Sequence, residues 1–365
     1  MSYLTESGTI PIMKLTAHTI TNHVAEDDRT RVTLLKGVAI AAVVIIHILS
    51  SIPGYIYTTT NAAQYIFLDQ LLRFSVPLFI GLSGYSLARR YQDIVEYVPF
   101  YKRRLLRIIP LYLLWSISLW FVFNYIPEWN TYESPVPFWK VILLGRADYH
   151  LYFVPLIFQL YLLFPFLLNI LKKYPRTVLF GALTLQSTSY IAFNYVDTLS
   201  SKALFDSDQT QYSLLFSWIF YFVLGMFIAK RKLKQQDKTK TISFIWLAWG
   251  LSLAYLALQG QLQIFNGIDP LDALKFTRLP VLPYALSSIC LALLVPWETF
   301  SHPTWLTKIL HTIGIFSFTI FLSHTIVLRL LFSFTYESLS ISAMLLTIVV
   351  SAVAIIASYL YEKTP

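Results

Sequence analysis

The chain is poor in charged residues, glycine and cysteine, and each scarcity removes a class of protein. Charged residues make up 13% of its 365 positions, about half the usual ~25% of a soluble domain. A water-soluble fold of this length could not cover its surface with so few charges. The single cysteine, Cys290, excludes a disulfide framework and a cysteine-based zinc site. Only 12 glycines beside 16% aromatic residues favour helices with interfacial aromatic side chains over a β-barrel.

Hydrophobic residues fill the space that the charges leave, at 56% of the sequence. They occur in blocks of roughly 20 residues, the length that a helix needs to cross a bilayer. We therefore predict an all-α fold, a polytopic bundle of about ten transmembrane helices in the lipid bilayer. The predicted helices span 33–52, 66–88, 106–126, 150–171, 177–195, 211–229, 241–260, 279–297, 309–331 and 339–360. A short stretch at 136–144 is predicted to be interfacial or re-entrant.

The first 31 residues are polar and mixed in charge, without the apolar core of a cleavable signal peptide. We assign residues 1–31 to a flexible cytoplasmic tail and residues 32–362 to a single membrane domain. The first predicted helix would then act as its own insertion signal.

The net charge of +9 follows the predicted topology. Most of the lysines and arginines fall in alternate connecting segments, beginning with the N-terminal one. Because cytoplasmic loops of membrane proteins are enriched in these residues, we predict that both termini lie in the cytoplasm and that the protein resides in the cytoplasmic membrane. The basic residues are thus explained by topology, and no nucleic-acid partner is expected.

Ionisable side chains inside a membrane helix are costly and usually functional, which draws attention to His47 in the first predicted helix. Lys36 precedes it by eleven residues, close to three helical turns, so both lie on nearly the same face, ~16 Å apart along the axis. A neutral histidine bonded to a neighbouring helix is the alternative. We interpret the pair as a cationic anchor at the inner surface with a titratable base deeper in the membrane.

Two arginines at the start of the third predicted helix, Arg104 and Arg107, are one turn apart and could address one anionic group. Taken alone, they would be ordinary cytoplasmic charges. Guanidinium groups are the usual partners of phosphate. Together with Lys36 at the same membrane face, they could clamp a polyphosphate ligand.

A third group of polar residues is predicted towards the outer face. Asp148 and His150 begin the fourth predicted helix, His324 lies in the ninth, and Asp69 and Arg73 lie in the second. Interfacial solvation would also explain them. Together with His47 of the first helix, four helices place such groups at similar depth and could instead assemble a buried proton-transfer site.

A serine in a glycine-rich stretch, Gly81-Leu82-Ser83-Gly84, suggests a nucleophile motif at first sight. It lacks the strand–turn–helix context of a serine hydrolase. Small residues also allow close helix packing, and we interpret the stretch in that way.

Five segments in this order resemble the type 3 membrane acyltransferase family, which O-acylates bacterial surface polysaccharides and related glycans. They are Lys36-x10-His47, SVPLFIGLSGY at 75–85, Arg104-x-x-Arg107, HLYFVP from His150, and SFTIFLSH ending at His324. Two positions depart from the family pattern, since Lys36 replaces the commoner arginine and Tyr152 replaces the usual tryptophan.

The resemblance implies a cytoplasmic acyl-CoA, usually acetyl-CoA, as donor and a glycan hydroxyl as acceptor, with no metal. It implies that Lys36, Arg104 and Arg107 hold the CoA phosphates while His47 acts as general base. Asp148, His150 and His324 would orient His47 or bind the sugar, and other polysaccharide synthesis or export proteins could be partners. Direct transfer and an acyl-enzyme both stay open.

Two other classes of function fit the sequence. An exporter or flippase of polysaccharide or lipid-linked sugar would line its path with the same polar residues, but should lack a cytoplasmic phosphate clamp. A structural subunit of a glycan synthase complex would depend on its outer loops and not on His47.

Overall fold

The computed structural model describes residues 12–50, 62–91, 95–126, 129, 136–195, 208–230, 238–295, 304–336 and 359, and within these ranges the chain forms helices and no strand. The first seven helices are α1 Ile12–Ser50, α2 Ala62–Leu72, α3 Ser75–Arg90, α4 Tyr97–Tyr125, α5 Phe138–Leu144, α6 Phe153–Lys173 and α7 Pro175–Tyr195. The next seven are α8 Asp208–Ser213, α9 Ile219–Lys230, α10 Lys238–Phe265, α11 Pro270–Ala273, α12 Val281–Leu294, α13 Trp305–Ile315 and α14 Ser317–Tyr336.

Helices lie at nine of the ten predicted positions, and the all-α class is confirmed. Among the described residues, 5 helices are long and apolar enough to cross a membrane, or 6 if the bent pair α13–α14 is one span. Helices α9 and α12 are apolar but shorter. The tenth predicted helix, 339–360, lies outside the described residues except for Tyr359. The count of ten and the cytoplasmic termini stay predictions.

The centre of the bundle is the contact between α3 and α9. Helix α9 is apolar on all sides and almost entirely buried, as expected for a helix surrounded by others. A Cβ atom added at Gly84 would overlap the carbonyl oxygen of Phe222, and one at Gly225 would overlap that of Gly81. The interpretation of Gly81 and Gly84 as packing residues is therefore confirmed.

The predicted helix 211–229 is interrupted, because α8 ends at Ser213 and a turn of 3-10 helix precedes α9. The amide of Gln159 in α6 spans the break: its Nε2 donates to the carbonyl oxygen of Ser213 (2.7 Å), and its Oε1 accepts from the amide of Leu215 (3.3 Å). Broken helices are tolerated at membrane depth when protein groups satisfy the freed backbone. Gln186 of α7 does the same for the amide of Phe220 (3.0 Å).

The predicted helix 309–331 is bent by 86° between α13 and α14. Helix α13 packs closely on α1, since a Cβ atom at Gly37 would overlap the carbonyl oxygen of Leu310, and one at Gly314 that of Thr33. The bend allows α13 to lie beside the N-terminal part of the first predicted span while α14 passes its C-terminal part.

The first described helix begins within the predicted N-terminal tail. Helix α1 begins at Ile12 and continues without interruption to Ser50, so residues 12–31 are helical. Residues 1–11 lie outside the described part of the chain. The predicted stretch 136–144 contains the seven-residue helix α5.

Candidate functional site

Helix α1 carries both the predicted cationic anchor, Lys36, and the predicted base, His47. The described helices of the bundle surround both residues. Lys36 lies within electrostatic range of Arg107 and Arg104 of α4. We call these three residues the cation cluster. No carboxylate of the described residues forms an ion pair with any of them. Three adjacent positive charges without a counter-charge are a fit for an anionic ligand with several charges.

The guanidinium of Arg104 lies beside two aromatic rings. Its guanidinium carbon lies 5.6 Å from the ring centre of Phe100 and 5.5 Å from that of Tyr161. Its Nε atom is buried without a hydrogen-bond partner among the described residues. The hydroxyl of Tyr161 is hydrogen-bonded to that of Ser83 at 2.8 Å. Ser83 therefore supports the Tyr161 ring beside the cation cluster.

The three predicted histidines come together at the other end of α1. The ring centre of His47 lies 5.1 Å from that of His324, which in turn lies 5.0 Å from that of His150. Tyr149 completes the contact, with its ring centre 4.9 Å from that of His47. Within the described residues, no group of three His, Cys, Asp or Glu side chains is arranged to hold a metal ion.

The hydrogen bonds of His324 identify the proton that its ring carries. Its Nδ1 lies 2.8 Å from the carbonyl oxygen of Phe321 and 3.2 Å from that of Ile320. Because a carbonyl oxygen only accepts, Nδ1 is the protonated nitrogen, and Nε2 of the neutral ring has a lone pair. This Nε2 is buried without a hydrogen-bond partner in the described part of the chain. It can accept a proton from a hydroxyl or from a neighbouring imidazole.

The loop between α5 and α6 presents Asp148, Tyr149 and His150 to this site. Gly145 has a φ of 70°, and a Cβ atom there would overlap the carbonyl group of Leu151. Glycine is therefore required for the loop to fold back on itself.

Asp148 forms a buried ion pair with Arg329 of α14. The two guanidinium nitrogens lie 2.6 and 2.9 Å from the two carboxylate oxygens, and Nδ1 of His150 lies 3.4 Å from one of these oxygens. Burial alone would raise the pKa of the Asp148 carboxyl, but the charge and hydrogen bonds of Arg329, with His150, outweigh it and hold the pKa well below its usual range. Asp148 is thus an anchored anion within electrostatic range of His47.

Tyr149 and Arg329 received no role in the sequence analysis. Burial, with the adjacent Asp148 carboxylate, raises the pKa of the Tyr149 phenol above its ordinary value, so the phenol stays protonated near neutral pH. Arg329 could have been found from its surroundings, because a lone arginine between Leu328 and Leu330 is expensive in a membrane helix. The histidine cluster hereafter denotes His47, Asp148, Tyr149, His150, His324 and Arg329.

Asp69 and Arg73 pair with each other beside the histidine cluster. Two nitrogens of Arg73 lie 2.8 and 2.7 Å from the Asp69 carboxylate oxygens, and Arg73 is within electrostatic range of His47. A hydrogen-bond network continues from Asp69 through Gln70 to Arg278. These residues place further charged groups near the site.

Comparison with protein families shows which family the chain belongs to. Residues 29–363 match a family model described as an acyltransferase domain, and this range contains every residue of both clusters. The chain belongs to the acyltransferase 3 family. Searches of curated proteins and of solved structures find no match. The resemblance noted in the sequence is therefore confirmed, and the chain is a multi-pass membrane acyltransferase.

Proposed function

We propose that this acyltransferase moves an acyl group, an acetyl group in the first instance, from cytoplasmic acyl-CoA to a hydroxyl of an extracytoplasmic or lipid-linked polysaccharide. The donor would bind at the cation cluster and the acceptor at the histidine cluster. The orientation predicted from the basic residues supports this, since it puts Lys36 at the cytoplasmic end of the first predicted membrane helix and His47 towards the outer face of the cytoplasmic membrane.

The observation that carries the proposal is that α1 joins the two clusters. Lys36 and His47 are eleven residues apart, ~16 Å along a helix. A cation cluster without counter-charges in the described part of the chain suits the phosphates of CoA, and the pantetheine arm is long enough to extend from there along the helix. The thioester would then lie near the imidazole of His47.

Acyl transfer to a hydroxyl requires a group that takes up a proton and then releases it. The acceptor oxygen attacks the thioester carbonyl carbon as His47 removes the hydroxyl proton. The new carbon–oxygen ester bond forms and the carbon–sulfur bond breaks, and the proton passes to the leaving CoA sulfur. A positioned base of this kind contributes typically about 10²–10⁴-fold.

His324 is the second candidate for proton transfer. Its Nε2 has a lone pair, and its ring touches those of His47 and His150. A proton taken by His47 could therefore be shared with His324 while the thioester bond breaks. His150 would contact the acceptor through Nε2, which is buried without a hydrogen bond among the described residues, while its Nδ1 faces the Asp148 carboxylate.

A direct test uses the purified protein in lipid nanodiscs with radiolabelled acetyl-CoA and a mixture of cell-envelope glycans. We expect label to appear in the glycan fraction, and His47→Ala to abolish the transfer while it still binds CoA. An exporter or flippase would bind no CoA and would transfer no label. Full transfer by a folded His47→Ala protein would overturn the proposed mechanism.

A further inference from the structure

The buried ion pair between Asp148 and Arg329 joins two parts of the chain that are far apart in sequence. The side chain of Asp148 is fully buried and that of Arg329 is 18% exposed. A buried charge pair of this geometry costs desolvation that its attraction only partly returns, so it is weak evidence for a role in stability alone. Its position beside the histidines suggests another role.

The guanidinium of Arg329 also lies against two aromatic rings. Its central carbon is 4.6 Å from the ring centre of Phe123 in α4 and 5.5 Å from that of Tyr149. The Tyr149 ring is in turn 4.9 Å from the His47 ring. Arg329 thereby connects α14 and α4 to the loop residue that touches His47.

The same ion pair also holds the contact between His150 and His324. His150 follows Asp148 by two residues and lies 3.4 Å from its carboxylate. His324 precedes Arg329 by five residues on α14 and touches the His150 ring at 5.0 Å. Fixing Asp148 to Arg329 therefore fixes the loop that carries His150 to the helix that carries His324.

We propose that Arg329 is a positioning residue of the acyl-transfer site: paired with Asp148, it holds the Tyr149 ring against His47 and the His150 ring against His324. The inference rests on the proposed function only for its activity measurements. An arginine is needed because a planar guanidinium can bond both carboxylate oxygens and lie along a ring at the same time, whereas a lysine ammonium offers one point of charge.

The rival explanation is that the pair only stabilises the fold. The two explanations differ for the double variant Asp148→Asn/Arg329→Gln. Removing one member leaves a buried charge uncompensated, whereas removing both removes that penalty. If the pair is structural, the double variant should regain both thermal stability and turnover. If Arg329 positions the histidines, stability should return and turnover should not.

The activity experiment compares Arg329→Lys and the double variant with Arg89→Lys. Arg89 is a matched control because it is also an arginine paired with an aspartate, its Nε lying 3.0 Å from Oδ2 of Asp28, outside both clusters. We expect kcat to fall about 10- to 100-fold in Arg329→Lys, with the KM for acyl-CoA unchanged, and no such fall in Arg89→Lys. Full kcat in a folded Arg329→Lys protein, or recovery of kcat in the double variant, would overturn the proposal.

A second readout does not depend on the reaction. The rate at which diethyl pyrocarbonate modifies His47, followed by peptide mass spectrometry, reports the packing of its ring. We expect a several-fold faster modification of His47 in Arg329→Lys and in the double variant, and no change in Arg89→Lys. An unchanged rate in the Arg329 variants would refute positioning, even if the wild-type protein transferred no acyl group. Absence of acyl transfer with an altered rate would instead refute only the proposed function.

Discussion

The cation cluster and the histidine cluster lie about three helical turns apart along α1. The charges of the two clusters differ in whether they have ion-pair partners among the described residues. Lys36, Arg104 and Arg107 have one sign and no ion-pair partner among the described residues, and Arg107 is exposed. At the other end, Asp148 is fully buried and both of its oxygens are bonded to Arg329.

The cation cluster is therefore suited to binding an anion, whereas the histidine cluster is held together by its own ion pair. The positive charges of the cation cluster repel one another until an anionic ligand neutralises them. The histidine cluster supplies its own counter-charges, so nothing has to bind before it is ordered. We therefore expect changes at the first cluster to alter substrate binding and changes at the second to alter turnover or stability.

The largest effect is expected from His324→Phe, which keeps a ring of similar shape and removes the Nε2 lone pair. We expect kcat to fall by about 10²–10⁴-fold, the usual contribution of a positioned acid–base group, with little change in KM for acyl-CoA. The measurement is steady-state transfer of radiolabelled acetyl groups. His311→Phe is the control, because His311 lies on α13 and has no ring contact with the cluster among the described residues. If the kcat of His324→Phe matched that of the wild type, His324 would have no part in proton transfer.

The next effect tests how rigidly the loop is held. Gly145→Ala must adopt a left-handed backbone conformation and also overlap Leu151, so we expect a loss of about 3 kcal/mol in the free energy of unfolding. Thermal unfolding in nanodiscs measures the change. Gly250→Ala is the matched control, since a Cβ atom there meets no atom within 4 Å and alanine favours the helix. Equal stability of the two variants would show that the loop tolerates another path.

The sequence predicts the positions of the helices well, because nine apolar blocks of membrane length can be recognised without knowing their neighbours. It also predicts Lys36 and His47 on one face, since the helical repeat alone relates them. The breaks after Ser213 and at Phe316 were missed. Each depends on a neighbouring element, the Gln159 side chain in one case and the surface of α1 in the other.

The contacts within the histidine cluster could not be predicted from the sequence for the same reason. Asp148 was expected to orient His47 or bind the sugar, but no rule of spacing relates Asp148 to Arg329, 181 residues away. Cost in the membrane marks such residues individually as candidates. Only the fold shows which of them share a bond.

A smaller effect is expected at the cation cluster. Lys36→Met removes one charge from the proposed phosphate site, and a hydrogen bond to a charged group is worth about 1.5–3 kcal/mol. We expect the KM for acyl-CoA to rise about 10- to 100-fold, with kcat and thermal stability unchanged. Lys102→Met serves as the control, because Lys102 is an exposed lysine of the same face of the bundle outside the cluster. A lower kcat at saturating acyl-CoA would contradict the division of roles between the two clusters.

The smallest effect concerns the wall of the cation cluster, where Ser83 and Tyr161 share a hydrogen bond of 2.8 Å. If this bond holds the Tyr161 ring beside Arg104, Ser83→Ala and Tyr161→Phe should each raise the KM for acyl-CoA by a fewfold. A double-mutant cycle should give a coupling of about 1 kcal/mol. A loss of kcat in Ser83→Ala, with a labelled acyl group trapped on Ser83 in the wild type, would instead identify Ser83 as a nucleophile. It would also erase the proposed separation of binding from chemistry, because the acyl group would then be held among the cations before it reached the histidines.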